Sequence, residues 1–263
     1  MKGRLLFLGT GSSVGVPVIG CSCAVCSSAS PYNQRLRPSV LIQTEQKKLL
    51  IDPGPDFRQQ ALRHHITMLD GILLTHAHHD HTSGVDDLRP IYYRRENPLP
   101  ALLSEETALE LQMRYYYIFR SEDPDETFVP RIQLQILPPQ REGSVDFIGL
   151  SIGYMTYEQG GMLVNGFRFG DLAYLSDIRL FSHTLFEQLQ GIKTLIISAL
   201  RHTPSPLHFS VDEAVDFAHR TKAERVWLTH LSHELDHEKT NAYLPDHIKL
   251  AYDGLEIEFG NPS

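Results

Sequence analysis

Cysteine is scarce, with three in 263 residues. All three fall between positions 21 and 26, so no disulfide framework can hold the chain together. Tryptophan occurs once. No apolar run approaches the roughly 20 residues of a membrane-spanning helix. Met1-Lys2-Gly3-Arg4 enters a first strand directly, without the apolar stretch of a secretory signal. These absences lead us to expect a cytoplasmic protein with no membrane partner. Basic charge is also in deficit: 24 Lys and Arg face 32 Asp and Glu, a net charge of -8. A broad grip on nucleic acid depends on neutralising phosphates with Lys and Arg, so nucleic acid is the disfavoured partner. Small anionic, phosphorylated substrates stay open, because bound cations reverse the field locally. A homodimer is neither required nor excluded.

The chain is 41% hydrophobic, enough for a sizeable core, and its length suits one domain over residues 1–263. Its most informative stretch is Ile72-Leu73-Leu74-Thr75-His76-Ala77-His78-His79-Asp80-His81. The apolar residues after Gly71 read as a buried strand, and the polar cluster as a site where that strand gives way to a loop. In extended backbone His76 and His78 point to one side and can share a metal. Asp80 and His81, in the turn that follows, can reach a second.

This segment resembles the signature of the metallo-β-lactamase superfamily, and nearly the whole chain can be laid on its pattern. The resemblance implies an α/β fold, an αββα sandwich of two mixed sheets flanked by helices, with metal ligands on loops at one edge. The likeness is strongest to the phosphodiesterase branch, in particular the phosphoribosyl 1,2-cyclic phosphate phosphodiesterases, with tRNase Z more distant.

Before the histidine cluster lie a strand at Arg4 to Leu8 and the loop Thr10-Gly11-Ser12-Ser13-Val14-Gly15-Val16-Pro17. The loop looks like a phosphate cradle but lacks the Lys-Ser/Thr ending and the following helix of a P-loop. Cys21, Cys23 and Cys26 could take three corners of a tetrahedral zinc. A hairpin, Ser39 to Gln43 with Lys48 to Ile51, ends in Asp52-Pro53-Gly54. Asp52 reads both as a turn initiator and, through the resemblance, as a carboxylate that braces the histidine loop without binding metal.

Beyond the cluster, residues 89–131 read as a helical insertion or lid. Leu109, Met113, Tyr116 and Tyr117 follow the spacing of one apolar helix face. Arg89, Arg94, Arg95, Arg114, Arg120 and Arg131, interleaved with Tyr92, Tyr93 and Tyr115, are either a pocket for a phosphorylated ligand or a solvated face. Glu122 to Glu126 is an acidic boundary loop. Later come strands at Leu150 to Thr156, Leu163 to Phe169, Leu172 to Leu175, Thr194 to Ser198 and Arg225 to Leu228. Ser210 and Glu213 form a capping box, which sets His208 just ahead of a helix N-terminus. His64, His65, His183, His219, His237 and His247 read as surface residues.

Residue by residue, the resemblance implies that Asp177 bridges two active-site ions and His230 ligates the second. It implies that His208 donates a proton to the leaving group and that His233 completes a structural zinc with the three cysteines. The family places one more histidine after the strand beginning at Leu150; here Gln159 falls at that position, with Glu158 beside it. Either could serve as a replacement ligand, and the first site is expected to bind metal more weakly or to accept manganese as well as zinc. The implied activity is hydrolysis of a small or cyclic phosphodiester by a metal-held hydroxide that Asp80 orients. A tRNase Z-like nuclease is the first alternative, and a catalytically impaired binding or regulatory member the second.

Overall fold

The computed structural model describes residues 1–119 and 132–260. Seven strands form the first sheet: β1 (Gly3–Gly9), β2 (Ser39–Thr44), β3 (Lys48–Ile51), β4 (Gly71–Leu73), β5 (Leu99–Leu103), β6 (Ile132–Ile136) and, at the far edge beside β1, the last strand of the chain. The second sheet takes β7 (Glu142–Phe147), β8 (Leu150–Gln159), β9 (Met162–Phe169), β10 (Leu172–Leu175), β11 (Thr194–Ser198), β12 (Arg225–Thr229) and β13 (Ile248–Leu250). The strand that closes the first sheet is β14 (Glu256–Phe259). Both sheets are mixed: β3 to β6 run parallel, as do β10 to β13, while their other neighbours pair antiparallel.

Alternation along the strands divides the core into three slabs. Phe7, Ile42, Tyr154, Phe167 and Tyr174 interlock between the sheets. Leu8, Leu50, Ile72 and Leu74 face the helix layer on one outer side, and Tyr157, Leu175 and Ile197 that on the other. The first layer holds α1 (Phe57–Arg63), α2 (His79–Thr82), α3 (Arg89–Tyr92), α4 (Glu105–Arg114) and α5 (Tyr116–Phe119). The second holds α6 (Leu185–Gln188) and α7 (Val211–Thr221), with α8 (His237–Tyr243) preceding β13. This is the expected αββα sandwich. No helix among the described residues is long and apolar enough to cross a membrane.

Two expectations change. The described part of the 89–131 stretch is woven into the fold: β5 lies between β4 and β6, and α4 packs Ala108 and Leu111 on the first sheet. Arg120, Arg131 and the acidic loop lie outside the described residues. Leu109, Met113, Tyr116 and Tyr117 are exposed, and Thr107, Ala108 and Leu111 are buried in their place. The helix breaks at Tyr115, so positions 109 to 117 never form one continuous face, and the small Ala108 lets α4 approach the sheet closely.

Candidate metal centre

Asp52, the 76–81 cluster, Gln159, Asp177 and His230 sit where strands end, and His208 on the loop ahead of α7. Three of these turns enter the left-handed region: Asp52 after β3 (φ 58°), Asp177 after β10 (φ 47°) and His230 after β12 (φ 60°). Non-glycine residues rarely adopt this conformation, and three of the six that do so among the described residues belong to this edge. Surrounding bonds hold them there. Asp52, fully buried, accepts from the Thr75 amide at 2.8 Å, the Thr75 hydroxyl at 2.7 Å and His81 Nδ1 at 2.8 Å. Gly54 lets the same turn pass under the histidine loop, since a Cβ there would lie 2.2 Å from the Asp80 carbonyl oxygen.

These bonds also fix the tautomers. The Thr75 hydroxyl gives its one hydrogen to Asp52, so at 2.9 Å from His76 Nδ1 it accepts the ring N–H. That leaves the His76 Nε2 lone pair directed into the site. His81 spends Nδ1–H on Asp52, and its buried Nε2 has no hydrogen-bond partner among the described residues.

The ligand atoms lie at metal spacing. His81 Nε2 is 3.4 Å from Asp80 Oδ2 and 3.5 Å from Asp177 Oδ2. His230 Nε2 is 3.4 Å from Asp80 Oδ2 and 3.2 Å from Asp177 Oδ1. His76 Nε2 is 3.6 Å from Asp177 Oδ2 and 2.9 Å from His78 Nδ1. Donors bonded to a tetrahedral ion at about 2.0–2.1 Å are separated by roughly 3.4 Å, so the residues fit a divalent metal. Asp177 lies among all three imidazoles, with Oδ2 toward both His76 and His81 and Oδ1 toward His230. Cys21, Cys23 and Cys26 place their Sγ atoms 3.3, 3.5 and 3.5 Å from His233 Nδ1, a second four-donor cluster.

The charge pattern divides the site in two. Burial, with His81 close by, holds His76 well below its ordinary pKa, and burial also lowers His78, so both are neutral lone-pair donors. Burial opposes charge on His81 and His230, yet the neighbouring carboxylates prevail and raise both. Burial likewise opposes charge on Asp80 and Asp177, and the imidazoles override it, holding both carboxyls far down. Without metal, the second half is therefore an imidazolium–carboxylate network.

A pH signature follows. His81 and His230 have folded pKa values above the ordinary 6.5, so their stabilising contribution is full below 6.5 and lost as pH rises through the raised values. The lowered His76 and His78 act oppositely, costing stability as pH falls below 6.5. Metal-free protein should lose thermal stability as pH rises above the ordinary imidazole value through the raised ones, whereas metal-loaded protein, whose ligands have shed their protons, should not. Melting curves of both forms test this; parallel pH profiles would contradict it.

The structure separates the two candidates for the missing ligand. β8 runs on to Gln159, beyond the strand end expected at Thr156, and its alternation sends neighbours to opposite faces. Gln159 is 4% exposed, with Nε2 3.1 Å from His208 Nε2. Glu158 faces away, paired with Arg141 at 3.0 Å. His208 stacks on His230 at 4.9 Å between ring centroids, and its pKa is pushed down to about 4, chiefly by burial. Ser210 and Glu213 make the expected capping box on α7.

Several positioning roles escaped the sequence reading because ordinary polar side chains fill them. Asn165 donates to the Thr75 carbonyl from both backbone and side chain, at 2.9 and 3.1 Å. Arg114 donates to the Ala77 carbonyl and Tyr115 to that of Thr82 at 3.1 Å, so the end of α4 braces the histidine loop. Arg89 pairs with Asp86, and Arg94 and Arg95 are bound to backbone carbonyls; none of them is held ready for a phosphate. The glycine-rich loop is no cradle either, since its amides at Gly11, Ser12, Gly15 and Val16 are spent on backbone carbonyls. Contrary to expectation His237 is half-buried, stacked on Tyr32 at 4.8 Å and 3.2 Å from Arg35 Nη2.

A family model described as the beta-lactamase superfamily domain matches residues 47–231. The chain belongs to the metallo-β-lactamase superfamily. A solved structure described as a new diphosphatase from the PhnP family shares 40% identity and a TM-score of 0.90, each chain being covered to 98%. The short form of human tRNase Z matches at 19% identity and a TM-score of 0.67, over 97% of this chain and 98% of that one. An octanoyltransferase of Porphyromonas gingivalis is 37% identical over 257 residues, 96% of this chain and 51% of that protein. The chain thus spans about half the length of that relative, whose name describes the whole protein.

Proposed function

We propose that this metallo-β-lactamase-superfamily hydrolase cleaves a bridging phosphoryl group in a small molecule, either a phosphodiester, cyclic or linear, or a diphosphate. The convergence of His76, Asp80, His81, Asp177 and His230 at metal spacing, with His78 against His76, carries the reading. The 40% identity to a diphosphatase and the chain's net acidity support a small substrate over a nucleic acid. Divalent ions, zinc or manganese, would supply electrophilic charge on the phosphoryl oxygens and lower the pKa of the attacking water. They would also turn an edge that carries Asp52, Asp80 and Asp177 from anion-repelling to anion-binding.

The chain's own residues do the rest. Asp80 orients the attacking water. Asp52 and Thr75 keep His76 and His81 in the tautomers that leave Nε2 bare. His208 delivers a proton to the leaving oxygen from the loop ahead of α7. The cysteine cluster with His233 would hold a structural zinc, which would pin the N-terminal loop beside this edge.

Turnover of bis-p-nitrophenyl phosphate, a cyclic ribose phosphate, a dinucleoside diphosphate and a tRNA precursor, each with zinc or manganese, tests the reading. Cleavage of the small substrates is expected. Preference for the precursor would favour the nuclease, and no turnover with metal bound would favour a non-catalytic member. His208→Ala should leave the ions bound. It should slow substrates with poor leaving groups by about 10²- to 10⁴-fold and p-nitrophenyl esters far less. Equal losses on both would refute the proton-donor role.

A further inference from the structure

A groove of about 520 Å³ opens along the edge that carries the metal ligands, on the side of His76. The parallel strands β4, β5 and β6 pair in the registers Leu73 with Leu102 and Leu103 with Ile136. The residues that follow them, Thr75, Ser104 and Leu137, therefore leave three adjacent strands in a row. Ser104 and Leu137 line the groove on this side, and Leu163 and Asn165 line it from β9 of the other sheet. Asn165 also donates to the carbonyl of Thr75, so that wall begins one residue from His76. The volume falls within the roughly 300–1,000 Å³ of small-molecule sites and suits a group the size of a nucleoside.

The lining decides which group. Leu137 and Leu163 offer apolar surface to the face of a ring, and Ser104 and Thr156 offer hydroxyls to its polar edge. Charge at the rim is negative: Glu105 and Glu106 are both exposed, while Arg141, the basic side chain among the described lining residues, is paired with Glu158 at 3.0 Å. The N-terminus of α4 brings about half a positive charge to the same rim, against two full carboxylates, so an anion is repelled. We propose that this groove receives the non-reacting part of the substrate and selects an uncharged ring, a nucleoside or an unphosphorylated sugar, over a group that bears a further phosphate.

The proposal deepens the phosphoryl-hydrolase reading and rests on it. Matched pairs test it: adenosine 2′,3′-cyclic phosphate against its 5′-phosphorylated form, and a dinucleoside diphosphate against its 2′-phosphorylated form. Wild type should prefer the less charged member by about tenfold or more in kcat/KM, and the preference should narrow as salt screens the rim. The double variant Glu105→Gln, Glu106→Gln keeps the Ser104 cap on the Thr107 amide. It should narrow the preference roughly three- to tenfold, through a lower KM for the phosphorylated member. Leu163→Ala, which removes apolar surface without changing charge, should raise KM for both members about three- to tenfold and leave their ratio alone. Equal or better cleavage of the phosphorylated member by wild type, a preference as wide in the glutamine variant as in wild type, or an unchanged KM in Leu163→Ala would each overturn the proposal while the hydrolase reading stands. Cleavage of neither pair by metal-loaded wild type would remove that reading, and the proposal with it.

Discussion

Asp177→Ala should abolish activity, lowering turnover by at least about 10³-fold, and release metal from both halves of the site. The effect is large because one carboxylate serves both: Oδ2 lies 3.6 Å from His76 Nε2 and 3.5 Å from His81 Nε2, while Oδ1 lies 3.2 Å from His230 Nε2. Its removal also strips counter-charge from the buried imidazoles of His81 and His230, which Asp177 and Asp80 raise above their ordinary pKa. Asp177→Asn separates the two effects, keeping shape but not charge. Metal analysis should find both variants depleted, and melting curves should show Asp177→Ala no longer stabilised by added zinc. Retention of two ions per chain in Asp177→Ala would show that the centre is not built around this bridge.

The edge that carries this chemistry was largely legible in the sequence, and the reason is covalent closeness. His76, His78, Asp80 and His81 lie within six residues directly after a buried apolar strand, so one local pattern announces four donors. Asp177, His208 and His230 are single residues at strand ends or ahead of a helix, and only the resemblance made them stand out. The choice between Gln159 and Glu158 could not be made there, because it depends on how far β8 extends along β9. The register Gln159 with Met162 puts Gln159 within the strand, and alternation then decides which side chain faces His208. Thr75, Asn165 and Arg114 act through backbone carbonyls or as proton acceptors, roles that no spacing reveals. The strand β14 did carry a signal that was passed over: Glu256-Ile257-Glu258-Phe259 alternates, and only Ile257 and Phe259 are buried.

His233→Ala should lower the melting temperature by roughly 10 °C and reduce activity, although His233 touches no substrate. The N-terminal loop has little core of its own, since its apolar cluster is Val16, Val25 and Cys26 with Val18 and two further cysteines against them. Its order therefore depends on the proposed zinc clip. An ion present at about a thousand times its dissociation constant adds about 4 kcal/mol, worth a shift of this size in a chain of this length. The clip is poised to bind: the Cys26 backbone N–H lowers the Cys23 thiol to about 6, so that thiolate forms readily, while burial raises Cys26 until metal displaces its proton. Loss of the clip reaches the metal centre because His233 follows His230 by three residues in one loop. Leu231 between them is tied to the N-terminal loop, donating to Thr10 O at 2.9 Å and accepting from Ser12 N at 3.0 Å. Freeing the cysteines thus loosens the turn that holds His230 at φ 60°. Zinc counting, melting curves and turnover at saturating metal should move together in His233→Ala and in Cys26→Ser. Unchanged zinc content and melting temperature would show that the four side chains meet without a metal to join them.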